Sequence, residues 1–281
     1  MREYTFLNIE QKRFGGMQEL FPDWDGKNER LLVYSPHDDD AIIGAGYAMR
    51  AALDDGAEVH IIIVCKGDCG YSNIEEKENI VQVRQRETLN CYKAFGIPEE
   101  NISFLGYNDF SALNYIGWKI APDREGHFRR SITEIRNKRI TRMLVPNHYH
   151  EHVDHIAAYM MGAYDAPQVG DIHTVDWAQP HAVKSTAQYS VWAELDPEDA
   201  LIHGRDTQLR ANTVLLASED VEKMVDVGLE QFVSQQEIIA GLIADRKARR
   251  LKDGRFIEVY LRFDPRPRLN FEPYKALIER L

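Results

Sequence analysis

Two short stretches of this 281-residue chain concentrate the side chains that can do chemistry: Ser35-Pro36-His37-Asp38-Asp39-Asp40 and His148-Tyr149-His150-Glu151-His152-Val153-Asp154-His155. Three adjacent carboxylates beside an imidazole repel one another unless a cation compensates, and a divalent metal is the simplest compensation. An Asp at a helix N-terminus also caps free amides, which accounts for one of the three but not for three with a histidine. The second stretch holds four of the ten histidines in eight residues. His152 and His155 lie three apart, so at the start of a helix they share a face and can point at one centre. A His, an Asp and a second His leave coordination positions open, as in a catalytic rather than a structural zinc site. One carboxylate of the first stretch then binds the metal, and its neighbour is left to take a proton from water.

The elements that must position these residues are legible in outline. Residues 31–34 and the β-branched run 59–64 read as strands, as do 102–105 and 142–146. Between them, 41–53, 78–95 (closed by Gly96) and 127–138 read as helices. Strands alternating with helices imply parallel crossovers, so the first 165 or so residues are expected to form a Rossmann-like, doubly wound α/β fold with a mostly parallel, three-layer sheet. With strand order 3-2-1-4, strands 1 and 4 are neighbours and the ligand crevice lies beyond their carboxyl ends. Both stretches fall there. Beyond residue 165, Pro167, Gly170, Pro180 and Pro197 punctuate short segments (188–193, 213–216), which suggests an irregular cap. Ser218 is read as the N-cap of a helix running to Arg246, Lys247, Arg249 and Arg250, whose charges complement its C-terminus. A strand at 256–263 and a tail at 265–281 with a short amphipathic helix follow. Residues 1–281 thus read as a single domain, with a core at 1–165 carrying the site and a cap at 166–281.

Composition narrows the function classes. With 44% hydrophobic and 28% charged residues the chain has the make-up of a folded globular protein, not a disordered one. A net charge of −11 argues against a surface that neutralises phosphates, so no nucleic-acid partner is expected. No apolar stretch approaches the roughly 20 residues that span a bilayer, and the start Met1-Arg2-Glu3-Tyr4 lacks the core of a secretory signal. The expected compartment is the cytoplasm. Cys65, Cys69 and Cys91 have no zinc-knuckle spacing and are read as buried small apolar residues.

His37-Asp38-Asp39-Asp40 after the first strand and His152-Val153-Asp154-His155 after the fourth resemble, in that order, the signatures of the LmbE-like or PIG-L de-N-acetylases. Gly44, Gly67, Arg84-x-x-Glu87, Phe95-Gly96-Ile97 and Gly106 to Asp109 extend the resemblance over residues 30 to 165. Beyond, only Ser234-Gln235 continues it, with Phe232 where the family often has a His. The resemblance implies a zinc-dependent deacetylase that hydrolyses an N-acetyl group on an amino sugar, such as N-acetylglucosamine, or on its conjugate, releasing acetate. It implies one Zn²⁺ per chain, with another divalent ion as the alternative, held by His37, Asp40 and His155. Asp39 would be the general base, His152 would stabilise the oxyanion or protonate the amine, and Asp154 would orient a histidine. Arg84 would grip substrate hydroxyls or phosphate, or else pair with Glu87 on a helix surface, and Asp109 could reach the site from the third strand's loop. Relatives of this type also assemble, so a homo-oligomer is an open expectation.

Position supports the division of labour. With His37 and Asp40 three apart at a helix start, both can face the ion while Asp39 points about 100° away in projection. The sequence departs from the family at Asp38, where many members have Pro, and at Ala41, where many have Glu. His150 sits where some have Asp, and could support a ligand, be an extra ligand, or be merely exposed. Two other function classes remain: a metal phosphoesterase using Mg²⁺ or Mn²⁺, against which the single-metal ligand count argues, and a non-enzymatic sugar- or metal-binding module, against which Asp39 argues. Trp177, Tyr189 and Trp192 are either sugar-stacking rings or core. His173, His181 and His203 are not expected to be ligands.

Overall fold

Each apolar run read as a parallel strand pairs in the computed structural model, which describes residues 3–281. In chain order the elements are β1 (Tyr4–Asn8), β2 (Arg13–Gly15), β3 (Arg30–Ser35), α1 (Asp40–Asp54), β4 (Glu58–Cys65), α2 (Ile80–Phe95) and β5 (Ile102–Tyr107). A small hairpin of β6 (Lys119–Ala121) and β7 (Arg124–Glu125) precedes α3 (Phe128–Asn137), β8 (Arg142–Pro146) and α4 (Val153–Val169). The second half contains β9 (Ser185–Tyr189), α5 (Pro197–Ile202), β10 (Thr213–Ala217), α6 (Glu219–Leu229), α7 (Gln236–Arg246), β11 (Phe256–Phe263) and α8 (Glu272–Ile278).

Among the described residues, nine strands form one sheet in the order β2-β1-β10-β11-β9-β8-β3-β4-β5. The pairs β5/β4, β4/β3, β3/β8 and β8/β9 are parallel, which reproduces the expected 3-2-1-4 order. Alternate residues of the central strands feed opposite layers. Leu31, Val33, Ile61 and Ile63 join the core beneath α1, α2 and α6, while Leu32, Tyr34, Ile62 and Val64 join the core beneath α3 and α4. That two-sided burial is why these strands are continuously apolar. Since β3 leads into α1 on one face and β8 into α4 on the other, a crevice opens between their carboxyl ends.

Three expectations need correction. Where an irregular cap was expected, the chain continues the sheet: β9 adds parallel to β8, and β11, β10, β1 and β2 follow as antiparallel neighbours. The long helix from Ser218 is two helices, because Phe232 leaves helical geometry (φ −81°, ψ 67°) and turns its ring into the core between α6 and α7. The basic run does not merely complement a helix end. Arg246 forms a buried double hydrogen bond with Glu222, and both Arg246 and Arg249 donate to the carbonyl of Ile43. Helix α1 is kinked at Ala45, and Glu258 accepts from the amide of Tyr47. Backbone groups freed by the kink are thus satisfied by side chains from the second half of the chain. No helix among the described residues is long and apolar enough to cross a membrane.

At the end of the sheet remote from the crevice, Glu29, Thr141 and Lys184 sit one residue before β3, β8 and β9. Glu29 is fully buried and accepts from Arg142 Nε and Nη2 (3.1 and 2.8 Å), Thr141 Oγ1 (2.5 Å) and Lys184 Nζ (2.9 Å). Burial alone would raise its pKa, but these partners outweigh it and hold the carboxyl at about 2. A depressed folded-state pKa contributes stability above the unfolded value, near 4.5, that is lost as pH falls toward 2. Denaturant unfolding should therefore show Glu29→Gln less stable than wild type by about 3 to 5 kcal/mol at pH 7, the gap narrowing between pH 4.5 and 2. A gap independent of pH would show that the carboxylate's charge is not what matters.

Candidate active site

At the carboxyl end of β3, Ser35 organises the turn: its hydroxyl donates to the carbonyl of His37 and accepts from the amide of Ala41 (3.0 Å). His37 precedes α1 and Asp39 is its N-cap residue, so His37 and Asp40 meet through a turn rather than along a helix face. The amide of His37 donates to Asp40 Oδ2 (2.8 Å), and His37 Nδ1 lies 3.0 Å from the same oxygen. His152 is the N-cap of α4, and His155 sits in its first turn. His155 Nε2 is 3.2 Å from Asp40 Oδ2. The expected trio of His37, Asp40 and His155 therefore converges, its donor atoms within 4.8 Å of one another.

The chemistry of this donor set fits a divalent cation. His155 is completely buried, and its Nδ1 lies 2.6 Å from Glu151 Oε2. That contact places a proton on Nδ1, so in the neutral ring Nε2 carries the lone pair toward the site, 3.2 Å from Asp40 Oδ2 and outside hydrogen-bond geometry. A carboxylate behind a histidine is the usual support of a metal ligand. His37 has a similar support, with Asp154 Oδ2 3.4 Å from its Nε2. With protons as the available cations, burial opposes charge on both histidines, yet Asp40 and the carboxylates behind them prevail. His37 is held well above the usual imidazole range and His155 at about 9. Asp40 is pushed well down by the two histidines despite its burial.

Other donor groups fit less well. His37, His152 and Asp154 also come together, but His152 Nδ1 accepts from the amide of Asp154 (3.2 Å), and Asp154 itself accepts from the amides of Phe110 (2.6 Å) and Ala112 (3.3 Å). Groups built on Cys65 or Cys69 share Asp109, whose two oxygens hold the amides of Gly67 (2.9 Å) and Cys69 (3.0 Å). Burial also pushes the Cys65 thiol up, away from the thiolate a metal requires. Cys65 and Cys91 are buried as expected, whereas Cys69 is exposed.

The three adjacent carboxylates have separate fates. Asp38 turns into α2, where Arg84 donates to both of its oxygens, with Nε at 2.9 Å, and Thr88 Oγ1 lies 3.3 Å away. Arg84 is buried by this pair, so it neither faces the open site nor pairs with Glu87, which instead accepts from the amide (2.8 Å) and hydroxyl (2.7 Å) of Ser234. Its guanidinium fills the space beside Gly67 and Gly70, where a Cβ at Gly70 would lie 1.9 Å from Nη1. Gln235 donates to the carbonyl of Gly70, which draws the late helix pair onto this loop. Asp39 stays half-buried, and its carboxylate does not cap the helix. Burial first, then repulsion from Asp40 and Asp38, raises its pKa to about 7, against the pull of Arg84 and His37. His152 is held below the usual range by burial and by His37. Its Nδ1 accepts a hydrogen bond, so the ring proton sits on Nε2, where it can be donated.

Glu151 and Phe110 were not singled out as site residues by the sequence. Glu151 stands four residues before His155, a spacing that could have flagged it. Its second oxygen accepts from the amides of Val191 (2.9 Å), Trp192 (3.1 Å) and Ala193 (3.1 Å). Phe110 carries no such signal: its site position depends on a left-handed backbone (φ +60°) that its residue type does not announce. Of the candidate stacking rings, Trp177 and Tyr189 are buried in the core, and Trp192 is exposed with its ring 4.8 Å from that of His155. His150 is exposed, and His173, His181 and His203 join none of the donor groups among the described residues.

Residues 32–164 match the family model described as PIG-L, GlcNAc-PI de-N-acetylase. No curated protein matches the chain. Among solved structures, a conserved protein of Thermus thermophilus is 19% identical with a TM-score of 0.61, covering 85% of this chain and 96% of its own. The N,N'-diacetylchitobiose deacetylase of Pyrococcus horikoshii is 18% identical with a TM-score of 0.58, covering 89% and 90%. The 4-carboxy-2-hydroxymuconate hydratase of Pseudomonas putida is 16% identical with a TM-score of 0.59, covering 86% and 99%. At these identities the likeness is one of fold.

Proposed function

From the premise that residues 32–164 form a PIG-L domain, we propose that this protein is a metal-dependent amidohydrolase that removes an N-acetyl group from an amino sugar or its conjugate. The observation that carries the reading is the convergence of His37 Nδ1 and the fully buried His155 Nε2 on Asp40 Oδ2, with the His155 ring fixed from behind by Glu151. His37, Asp40 and His155 would hold the ion, with zinc the best fit to a two-imidazole, one-carboxylate set that leaves positions open. Bound there, it supplies Lewis acidity, which polarises the amide carbonyl and acidifies water.

Asp39, next to the ligand Asp40 in the chain and outside the converging trio, takes a proton from the attacking water as the C–O bond forms. His152 donates from Nε2 to the carbonyl oxygen as negative charge develops, a contribution typically worth about 10² to 10³ in rate. The proton held by Asp39 passes to the nitrogen as the C–N bond breaks, giving acetate and a free amine. Asp154 holds His37 and the 110–112 backbone, and Glu151 holds His155. Arg84 and Asp109 act from behind, Arg84 by neutralising Asp38 and Asp109 by holding the 67–69 loop.

A fold shared with a hydratase does not fix the reaction. The deciding experiment measures acetate and primary amine together over a set of N-acetylated amino sugars with zinc-loaded protein. Equal amounts of both support the reading, and neither product from any of them opposes it. Glu151→Gln should weaken zinc binding by about 10- to 100-fold in competition with a chelating dye, because the His155 ring loses its charged support. Unchanged affinity would mean that Glu151 serves only the 190–193 loop.

A further inference from the structure

Two large aromatic side chains stand in solvent against the catalytic histidines. Phe110 is 64% exposed with its ring 4.7 Å from that of His152, and Trp192 is 55% exposed with its ring 4.8 Å from that of His155. The rings of His37, His152 and His155 form a triangle with sides of 5.1, 5.7 and 6.0 Å, so the aromatics flank two of its corners. Exposure alone means little, since Ile172 and Leu201 are also exposed. What distinguishes this pair is how it is held. The amide of Phe110 donates to Asp154, and that of Trp192 to Glu151. The same two carboxylates support His37 and His155. Phe110 is also kept in a left-handed conformation (φ +60°) that disfavours a bulky residue, and such strain persists where the surroundings enforce it.

We propose that Phe110 and Trp192 are the two walls of the subsite for the amine-bearing part of the substrate, and that this part is a pyranose ring whose apolar C–H faces lie against them. The inference rests on the de-N-acetylase reading. The scissile carbonyl must reach the histidine triangle and His152, which leaves the outward-facing aromatics to the rest of the molecule. A pyranose offers apolar faces to the rings and hydroxyls to the polar rim, the pairing that shallow aromatic sites favour.

The test compares wild type, Phe110→Gly and Trp192→Ala, all zinc-loaded, on N,N'-diacetylchitobiose and on an acyclic N-acetylamino alditol, with thermal melts of each. Phe110→Gly suits φ +60°, so its melting temperature should not fall. Each variant should raise KM for the disaccharide by about tenfold while kcat changes less than about threefold, lowering the ring-to-acyclic ratio of kcat/KM by about tenfold. Equal losses on both substrates would overturn the proposal. So would a larger loss on N-octanoyl- than on N-acetylglucosamine, which would make the aromatics an acyl wall. Calorimetry with the free-amine disaccharide separates the two readings if wild type releases no acetate. Affinity lowered about tenfold by either substitution would uphold the ring subsite though the reaction is another, and unchanged affinity would remove it.

Discussion

Asp39→Asn should bind one zinc per chain as tightly as wild type, within about threefold, and release acetate about 10² to 10⁴ times more slowly, the range that general-base groups supply. Three features lead to this expectation. Asp39 is outside the converging trio, so the ion loses no ligand. Burial, with Asp40 and Asp38 beside it, raises its pKa, so its carboxylate takes up a proton more readily than an exposed aspartate does. Asn is isosteric and removes one of three crowded charges, so folding should not suffer. The check pairs metal analysis with kcat on the same preparation. Loss of zinc in step with loss of rate would make Asp39 a ligand, and near-normal turnover would exclude it as the base.

His155→Ala and Asp40→Asn should have the opposite signature: zinc affinity lowered by more than the 10- to 100-fold that loss of a supporting group costs, with activity falling in proportion to occupancy. His155 is completely buried and gives its free nitrogen to the site, so no neighbouring side chain can take its place without moving α4. Asp40 Oδ2 is the oxygen on which His37 and His155 converge. Excess zinc should restore part of the activity of Asp40→Asn, since the amide oxygen still coordinates weakly, but little of that of His155→Ala. Competition with a chelating dye measures both. Wild-type affinity in either variant would place the ion elsewhere, for instance at His37, His152 and Asp154.

The parallel half of the fold was legible because its strands are buried on both faces. A run such as Val59 to Val64 has no polar interruption to misread, and Gly96 stops α2 where a left-handed residue is needed (φ +99°). In the antiparallel half the strand at 256–263 was read correctly, but β1, β2 and the pairing of the strands were not, because partners lie far away in sequence, as Tyr4 does with Ala217. A buried carboxylate in β11, Glu258, also reads as a surface residue until the kink in α1 that it serves is known. At the site, the meeting of the two dense motifs followed from one topological rule, and the choice of His37, Asp40 and His155 within them from the family resemblance. The fate of Asp38 did not, since its partner Arg84 lies 46 residues away and meets it only once α2 is docked. Arg84, expected to grip substrate or pair with Glu87, was misplaced for the same reason. Glu151 hid among histidines that drew attention to themselves, although its spacing to His155 carried the information.

In this reading an ion held by His37, Asp40 and His155 would supply the Lewis acid, and Asp39 takes the proton as an N-acetyl group is hydrolysed. The test is to titrate zinc into chelator-treated protein and follow, at each addition, acetate release from the N-acetylated amino sugar that wild type cleaves fastest. Release should be negligible at the start, rise linearly and reach a plateau at one zinc per chain. Full release in the presence of chelator, or a plateau reached only at two ions per chain, would contradict this reading.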